Sequence, residues 1–119
     1  MEVKFSQAGQ MNLIGYFLRD MFRTSLATES GKKVAHRLRG SILFSVSGME
    51  VTLVFRGENI ELHRGSLKPL DARIRGDLTA LLDVALGASY WKALLTGDIK
   101  VNGNLLKLLS VMKLLRINN

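Results

Sequence analysis

The stretch Gly97-Asp98-Ile99-Lys100-Val101-Asn102-Gly103-Asn104 carries the strongest structural signal in this chain. Ile99 and Val101 alternate with polar residues, as is typical of a short strand with one apolar side. Asn104 is a good helix N-cap, because its side chain can accept a hydrogen bond from an N–H of the first turn. The pattern therefore predicts a strand over 98–102 that leads directly into a C-terminal helix.

This last helix has more apolar surface than a small domain normally needs. Leu, Val, Met and Ile fill nine of the fourteen positions from 104 to 117, so a wide apolar face remains beside the polar residues. Such a face must contact a core, a protein partner, a membrane or an apolar ligand. The polar residues recur at every third position and are Lys107, Ser110, Lys113 and Arg116.

Composition narrows the class of protein. The 119 residues suffice for one domain and are too few for two, so we expect a single domain over 1–119. The chain has no cysteine, which excludes disulfides and thiolate sites and fits a reducing, cytoplasmic location. A net charge of +7 favours anionic partners, either nucleic acid or acidic phospholipid. No signal peptide or apolar run of about 20 residues is visible, which predicts a soluble protein, at most peripheral at a membrane.

Hydrophobic periodicity divides the rest of the chain. Residues 1–9 are predicted to be loose, and residues 10–38 to form two helices, the second strongly basic. From residue 39 to 119 we expect the sheet and the C-terminal helices. Four strands joined by short glycine turns predict an antiparallel meander, and Asp77 then caps the next helix. The order predicts an α+β fold, with a five-stranded, mainly antiparallel sheet whose helices cover one face.

Gly97, Lys100 and Gly103, in this helix–strand–helix context, resemble the sterol carrier protein type 2 family. The resemblance covers about residues 32–117 and is nearest to the bacterial stand-alone members. Asn104 stands where that family often has Asp. The resemblance implies an apolar tunnel between sheet and helices, and a non-catalytic protein that binds or transfers a fatty acyl, sterol-like or isoprenoid (quinone) lipid. It also implies an alternative role, as an accessory or scaffold protein in lipid or ubiquinone biosynthesis.

The same resemblance suggests which side chains meet the lipid and the membrane. Lys107, Lys113 and Arg116 of the last helix are expected to contact an anionic membrane surface. Plain core packing is the alternative for each apolar residue. The expected lipid-binding residues are Phe44, Val46, Leu53, Phe55, Leu82, Leu86, Trp91, Leu95, Leu109 and Met112.

The sequence contains few residues in arrangements that are typical of catalytic sites. His36 and His63 have no His or Cys partner at metal-ligand spacing, and no nucleophile elbow or phosphate loop is present. We therefore expect no enzymatic activity, no metal and no cofactor. The expected partners are a long-chain lipid, an anionic membrane and a protein of lipid metabolism. Nucleic acid is disfavoured because the polar sheet face lacks an aromatic pair for base stacking.

Overall fold

A six-stranded sheet and five helices are present in the part of the chain that the computed structural model describes, residues 2–6, 9, 11–57, 59–86 and 89–116. The α+β class is therefore confirmed. In chain order the elements are β1 (Glu2–Phe5), α1 (Leu13–Leu26), α2 (Glu29–Arg37), β2 (Arg39–Val46), β3 (Met49–Arg56), β4 (Asn59–Arg64), β5 (Ala72–Gly76), α3 (Leu78–Ala85), α4 (Tyr90–Thr96), β6 (Ile99–Gly103) and α5 (Leu105–Arg116).

The strand order in the sheet is β1-β4-β3-β2-β5-β6. β2, β3 and β4 form the expected antiparallel hairpins, and β6 is antiparallel to β5. The prediction of a four-stranded meander is wrong for the fourth strand, because β5 pairs parallel with β2 instead of antiparallel with β4. The connection 65–71 is too long for a tight hairpin, and its extended reach of roughly 23 Å lets it return along the whole strand.

The connection 65–71 is held against the sheet by buried Thr52. The Thr52 hydroxyl donates to the carbonyl of Gly65 (2.7 Å) and accepts from the N–H of Leu67 (2.9 Å). At its far end, the N–H of Asp71 donates to the carbonyl of Ser41, 2.8 Å away at the start of β2. These contacts carry the chain from β3 to β2 and position β5 as a parallel neighbour.

The first nine residues contain a strand that the sequence analysis missed. Val3 and Phe5 of β1 alternate with polar residues, and Val3 is 3% exposed. β1 pairs parallel with β4, with Val3 opposite Ile60, and the N–H of Ser6 adds a bond to the carbonyl of Leu62 (3.0 Å). The expectation of a loose segment over 1–9 is therefore wrong for residues 2–5, and the sheet has six strands instead of five. Four residues are too few for a clear period-2 signal.

The helices lie on one face of the sheet, as expected. The apolar side of each strand and the apolar stripe of each helix meet in one buried cluster. Phe22 of α1 packs edge-to-face on Phe55 of β3, with ring centroids 6.0 Å apart. α5 adds Leu108, Val111 and Met112, each at most 2% exposed. The apolar C-terminal helix therefore supplies much of the core over β5 and β6.

Two predicted N-caps have different outcomes. The Asn104 side chain accepts from the N–H of Lys107 (3.1 Å), so the cap of α5 is confirmed. Asp77 precedes α3, but its side chain makes no capping hydrogen bond. The hydroxyl of Ser47 accepts from the N–H of Leu78 instead (3.0 Å). Because Ser47 lies in the β2–β3 turn, which meets the end of β5, a distant residue satisfies this helix terminus.

Candidate functional site

Half of the expected lipid-binding residues lie in the core between the sheet and the helices. Phe44 and Val46 of β2, Leu53 and Phe55 of β3 and Met112 of α5 are each at most 3% exposed. Strand alternation points the four sheet residues to the helix side. These five side chains belong to one buried hydrophobic cluster with residues of the helices. Their contact with a ligand remains a prediction.

The other expected residues belong mainly to the surface of the helical layer. Leu82, Leu86 and Leu95 are exposed, the last two to 78% and 87%. Leu109 of α5 is half-buried. The Trp91 side chain lies outside the described part of the structure. The expected set is thus split between an interior and an exterior apolar surface, and the structure does not enclose Leu86 and Leu95.

Two further exposed leucines, at the start of α5, were not predicted from the sequence. Leu105 and Leu106 are 60% and 78% exposed. Helical spacing could have identified Leu106, because Ser110 and Lys113 follow it at four and seven positions and share its solvent-facing side. α3 contacts both α4 and α5. The exposed leucines of this helical layer therefore belong to three associated helices. The exposed leucines of α3–α5 are Leu82, Leu86, Leu95, Leu105 and Leu106.

Such a concentration of exposed leucine is unusual for a small domain. Single exposed apolar residues are common, but a group on neighbouring elements indicates a contact with a membrane, a protein or a ligand. An open pocket of about 260 Å³ lies between α3 and α4 nearby, where Val84 and Ala93 meet Asp83, Lys92 and Asp98. Charged groups therefore occur on the same helices as Leu82 and Leu95, as in an amphipathic interface.

The three cations expected to contact a membrane have different surroundings. Lys107 forms an ion pair with Asp71, with Nζ and Oδ1 3.3 Å apart. Lys113 is exposed and has no ion pair with any described residue. The Arg116 side chain lies outside the described part. Of the three, Lys113 is the cation that the structure leaves available to an external anion, whereas Lys107 has a partner within the protein.

Asp71 joins the connection 65–71 to both β2 and α5. Its carboxylate accepts a hydrogen bond from the N–H of Ser41 (2.8 Å), and its carbonyl accepts one from the N–H of Asn104 (3.0 Å). The bond from Ser41, followed by the nearby Lys107 ammonium, lowers the pKa of Asp71 below its usual value despite some desolvation. A side chain at Gly40 would collide with this pair, since a Cβ there would lie 2.2 Å from the carboxylate.

Neither a metal-ligand cluster nor a membrane-spanning helix is present among the described residues. No group of three or more His, Asp or Glu residues among them could hold a metal ion. Among the described helices, none combines the length and the apolarity needed to cross a bilayer.

Comparison with known proteins relates this architecture to one family. The model of the SCP-2 sterol transfer family matches residues 20–116, which is most of the chain. Comparison with curated protein sequences gives no significant match. The matched range includes the strand and helix start from Gly97 to Asn104.

Several solved structures have the same fold at low sequence identity. A protein described as UbiJ-SCP2 ubiquinone synthesis protein aligns with a TM-score of 0.75 and 14% identity, over 90% of this chain and 96% of its own. The sterol carrier protein domain 2 of Helicoverpa armigera gives a TM-score of 0.70 and 14% identity, over 95% of this chain and 94% of its own. Sterol carrier protein 2 of Yarrowia lipolytica, in its apo form, gives 0.62 and 18%, over 83% and 87%.

Proposed function

Because the chain belongs to the SCP-2 sterol transfer family, we propose that it is a single, non-catalytic domain, residues 1–119, that binds or transfers a lipid. The lipid would be a fatty acyl, sterol-like or isoprenoid compound with a long apolar part. The observation that carries the proposal is the group of exposed leucines of α3–α5 beside a largely apolar core. A protein without an apolar ligand or an apolar partner surface would have little use for leucines that are mostly in water.

The energetics of transfer suit such an arrangement. Each buried methylene contributes about 0.8 kcal/mol, so a chain of a dozen methylenes gains roughly 10 kcal/mol before entropic costs. A bilayer offers the lipid a similar gain. The protein therefore needs only to approach the affinity of the membrane, and its efficiency depends on the barrier between the two.

We assign the buried and the exposed apolar residues to different steps of lipid transfer, the first to holding the lipid and the second to its exchange with a membrane. Phe44, Leu53 and Met112 represent the interior surface against which the lipid would pack. Leu95 and Leu106 represent the outer surface, which would contact the acyl region of a bilayer and lower the barrier to exchange. Exposed Lys92 of α4 and Lys113 of α5 would meet lipid phosphates at the rim. The protein would then act peripherally at anionic membranes.

Lipid analysis of the purified protein tests this proposal. Protein produced in cells is extracted with organic solvent, the extract is examined by mass spectrometry, and the delipidated protein is titrated with a fluorescent fatty acid. We expect a co-purified lipid with a long apolar chain and saturable binding of the probe. A protein that is uniformly empty and also fails to bind the probe would contradict the proposal.

A second candidate is an accessory role in a complex that makes ubiquinone. The similar fold of the UbiJ-SCP2 ubiquinone synthesis protein favours it, and the exposed leucines could equally pack against a protein. Affinity purification before and after lipid removal with detergent separates the two roles. A stoichiometric partner that stays bound to the delipidated protein, and is lost on Leu95→Gln, would support this role over simple lipid carriage.

A further inference from the structure

The sheet face opposite the helices carries a basic trough. Three open depressions of about 790, 380 and 380 Å³ follow one another along β5 and β6. Arg73 and Asn102 line both the first and the central depression, and Ser45, Arg75 and Lys100 line both the central and the last. The depressions are therefore adjacent. We call the trough formed by these five residues the basic trough.

Strand register brings the cations of the basic trough together. Arg75 of β5 is directly opposite Lys100 of β6, and Arg73 is opposite Asn102. Facing residues on one side of an antiparallel pair have Cβ atoms about 5 Å apart, and residues two apart on a strand are separated by about 7 Å. Three positive charges thus lie within the reach of a single multivalent anion.

No carboxylate of a described residue forms an ion pair with the cations of the basic trough. Neither an ion pair nor a side-chain hydrogen bond to any described residue is present for Arg73, Arg75 or Lys100. Glu50 is the one acidic residue among those lining the central depression, against three cations. Like charges directly opposite each other destabilise a sheet. The pair Arg75–Lys100 therefore costs stability that a bound anion would restore.

Neutral hydrogen-bond donors complete the trough. The Ser45 hydroxyl is beside Arg75 through the β2–β5 register, and the Asn102 amide is beside Arg73. Neither side chain has a hydrogen bond to another described residue. Guanidinium, ammonium, hydroxyl and amide groups are the donors that recognise phosphate oxygens. The central depression, at about 380 Å³, has the size of a small-molecule site.

The position of the trough separates it from the lipid site. One layer of sheet lies between Arg75 and the apolar core, so a lipid held among the helices cannot place its head group there. The apolar residues of the central depression, Leu43, Ile74 and Val101, are buried or half-buried, unlike a surface that inserts into a bilayer. None of its lining residues is aromatic, so stacking of nucleic-acid bases has no platform.

We propose that the basic trough binds a free oligophosphate anion, through Arg75 and Lys100 at one phosphate and Arg73 at the next. This site is independent of lipid binding, because the anion needs no hydrocarbon chain and uses the opposite face of the sheet. Inorganic tripolyphosphate is a suitable probe, since it offers the charge without a base or an acyl group.

The test compares two double variants with the same net charge. Arg75→Gln/Lys100→Gln removes the facing pair, whereas Lys33→Gln/Arg37→Gln removes two exposed cations of α2 that have no ion pair with a described residue. Each protein is titrated with tripolyphosphate by calorimetry, and amide chemical shifts locate the contact. Vesicles rich in phosphatidylglycerol form a parallel arm of the experiment. Thermal unfolding is followed with and without the anion.

We expect saturable binding that weakens at least tenfold in Arg75→Gln/Lys100→Gln and is unchanged in the α2 variant. Without the anion, the trough variant should unfold at the same or a higher temperature, because the repulsion is relieved. Equal weakening in both variants, or no saturable binding at millimolar tripolyphosphate, would overturn the proposal. Binding of vesicles alone, abolished by the trough variant, would overturn it in favour of a membrane surface.

Discussion

The hydroxyl of Ser25 in α1 donates a hydrogen bond of 2.5 Å to the carbonyl of Leu114 in the last turn of α5, and both residues are fully buried. The last four carbonyls of a helix have no partner within the helix. Ser25 satisfies one of them from 89 residues away. This contact fixes the C-terminal helix over the sheet and completes the helical layer against which a lipid would pack.

We predict that Ser25→Ala destabilises the fold by about 1–3 kcal/mol, because it removes the hydroxyl that donates to this buried carbonyl. Urea denaturation followed by circular dichroism measures the change. Ser30→Ala is the matched control, since Ser30 is exposed at the start of α2, and it should change stability by less than about 0.5 kcal/mol. Equal effects of the two substitutions would show that the Ser25–Leu114 bond contributes nothing.

Substitution of Gly103 and of Gly97 separates two effects on stability, that of backbone conformation and that of steric fit. Both have positive φ, 104° and 84°, so alanine costs about 1–2 kcal/mol at either position. At Gly103 a Cβ would also lie 2.5 Å from the carbonyl oxygen of Asp71 and 2.7 Å from Cα of Ala72, whereas at Gly97 it meets nothing within 4 Å.

We therefore predict that Gly103→Ala is more destabilising than Gly97→Ala by about 1–3 kcal/mol. Thermal unfolding of the two variants under the same conditions checks the difference. Because the clash involves backbone atoms of Asp71 and Ala72, the sheet cannot relieve it by rotating a side chain. Similar stability of the two variants would mean that β5 and β6 can separate without cost, against the observed pairing.

The lowered pKa of Asp71 predicts that part of the stability of the fold is lost in acid. The Ser41 N–H and the Lys107 ammonium lower the pKa of this carboxyl, so folding favours its ionised form. The stabilisation is present above the unfolded value, about 3.9, and is lost as the pH falls through the lower pKa of the folded state. Acid therefore weakens the attachment of the connection 65–71 to β2 and α5.

We expect Asp71→Asn to lower the free energy of unfolding by about 1 kcal/mol at pH 7, a value reduced for the 40% exposure of the side chain. The difference from the parent protein should shrink toward pH 3. Chemical denaturation across this pH range provides the measurement. Asp83→Asn, in an exposed part of α3, serves as the control and should show little effect at pH 7. A difference that stays constant with pH would argue against the role of the Asp71 carboxylate.

The exposed leucines predict a kinetic effect on lipid exchange. Leu95→Gln should leave stability unchanged, because the side chain is 87% exposed, but it should slow transfer of a fluorescent fatty acid to anionic vesicles. Loss of about 1 kcal/mol of membrane contact corresponds to roughly fivefold in rate. Stopped-flow fluorescence energy transfer measures the rate at which the fatty acid reaches the vesicles. Leu13→Gln on α1, where the leucine is 67% exposed, is the control and should transfer the fatty acid at the rate of the parent protein. Equal slowing of transfer in the two variants would show that α4 has no special role.

Local patterns predicted most of the secondary structure. The change of period after Leu38 located β2 and β3, and the stretch from Gly97 to Asn104 located β6 and the capped start of α5. These features depend on neighbouring residues, which a sequence displays directly. The candidate site was only partly predictable, because composition marked α5 as too apolar but could not tell which of its leucines face water.

Sequence alone determined the alternation of β2 and β3, the helical stripes of α1 and α5 and the family to which the chain is similar, since each follows from residue types at fixed spacing. Tertiary structure alone decided that β5 pairs parallel with β2, and that Ser47 instead of Asp77 accepts the hydrogen bond at the start of α3. It also decided that Arg73, Arg75 and Lys100 lie on one face of the sheet. These outcomes depend on contacts between residues far apart in the chain, where the energies of alternative pairings compete and no local period records which one prevails.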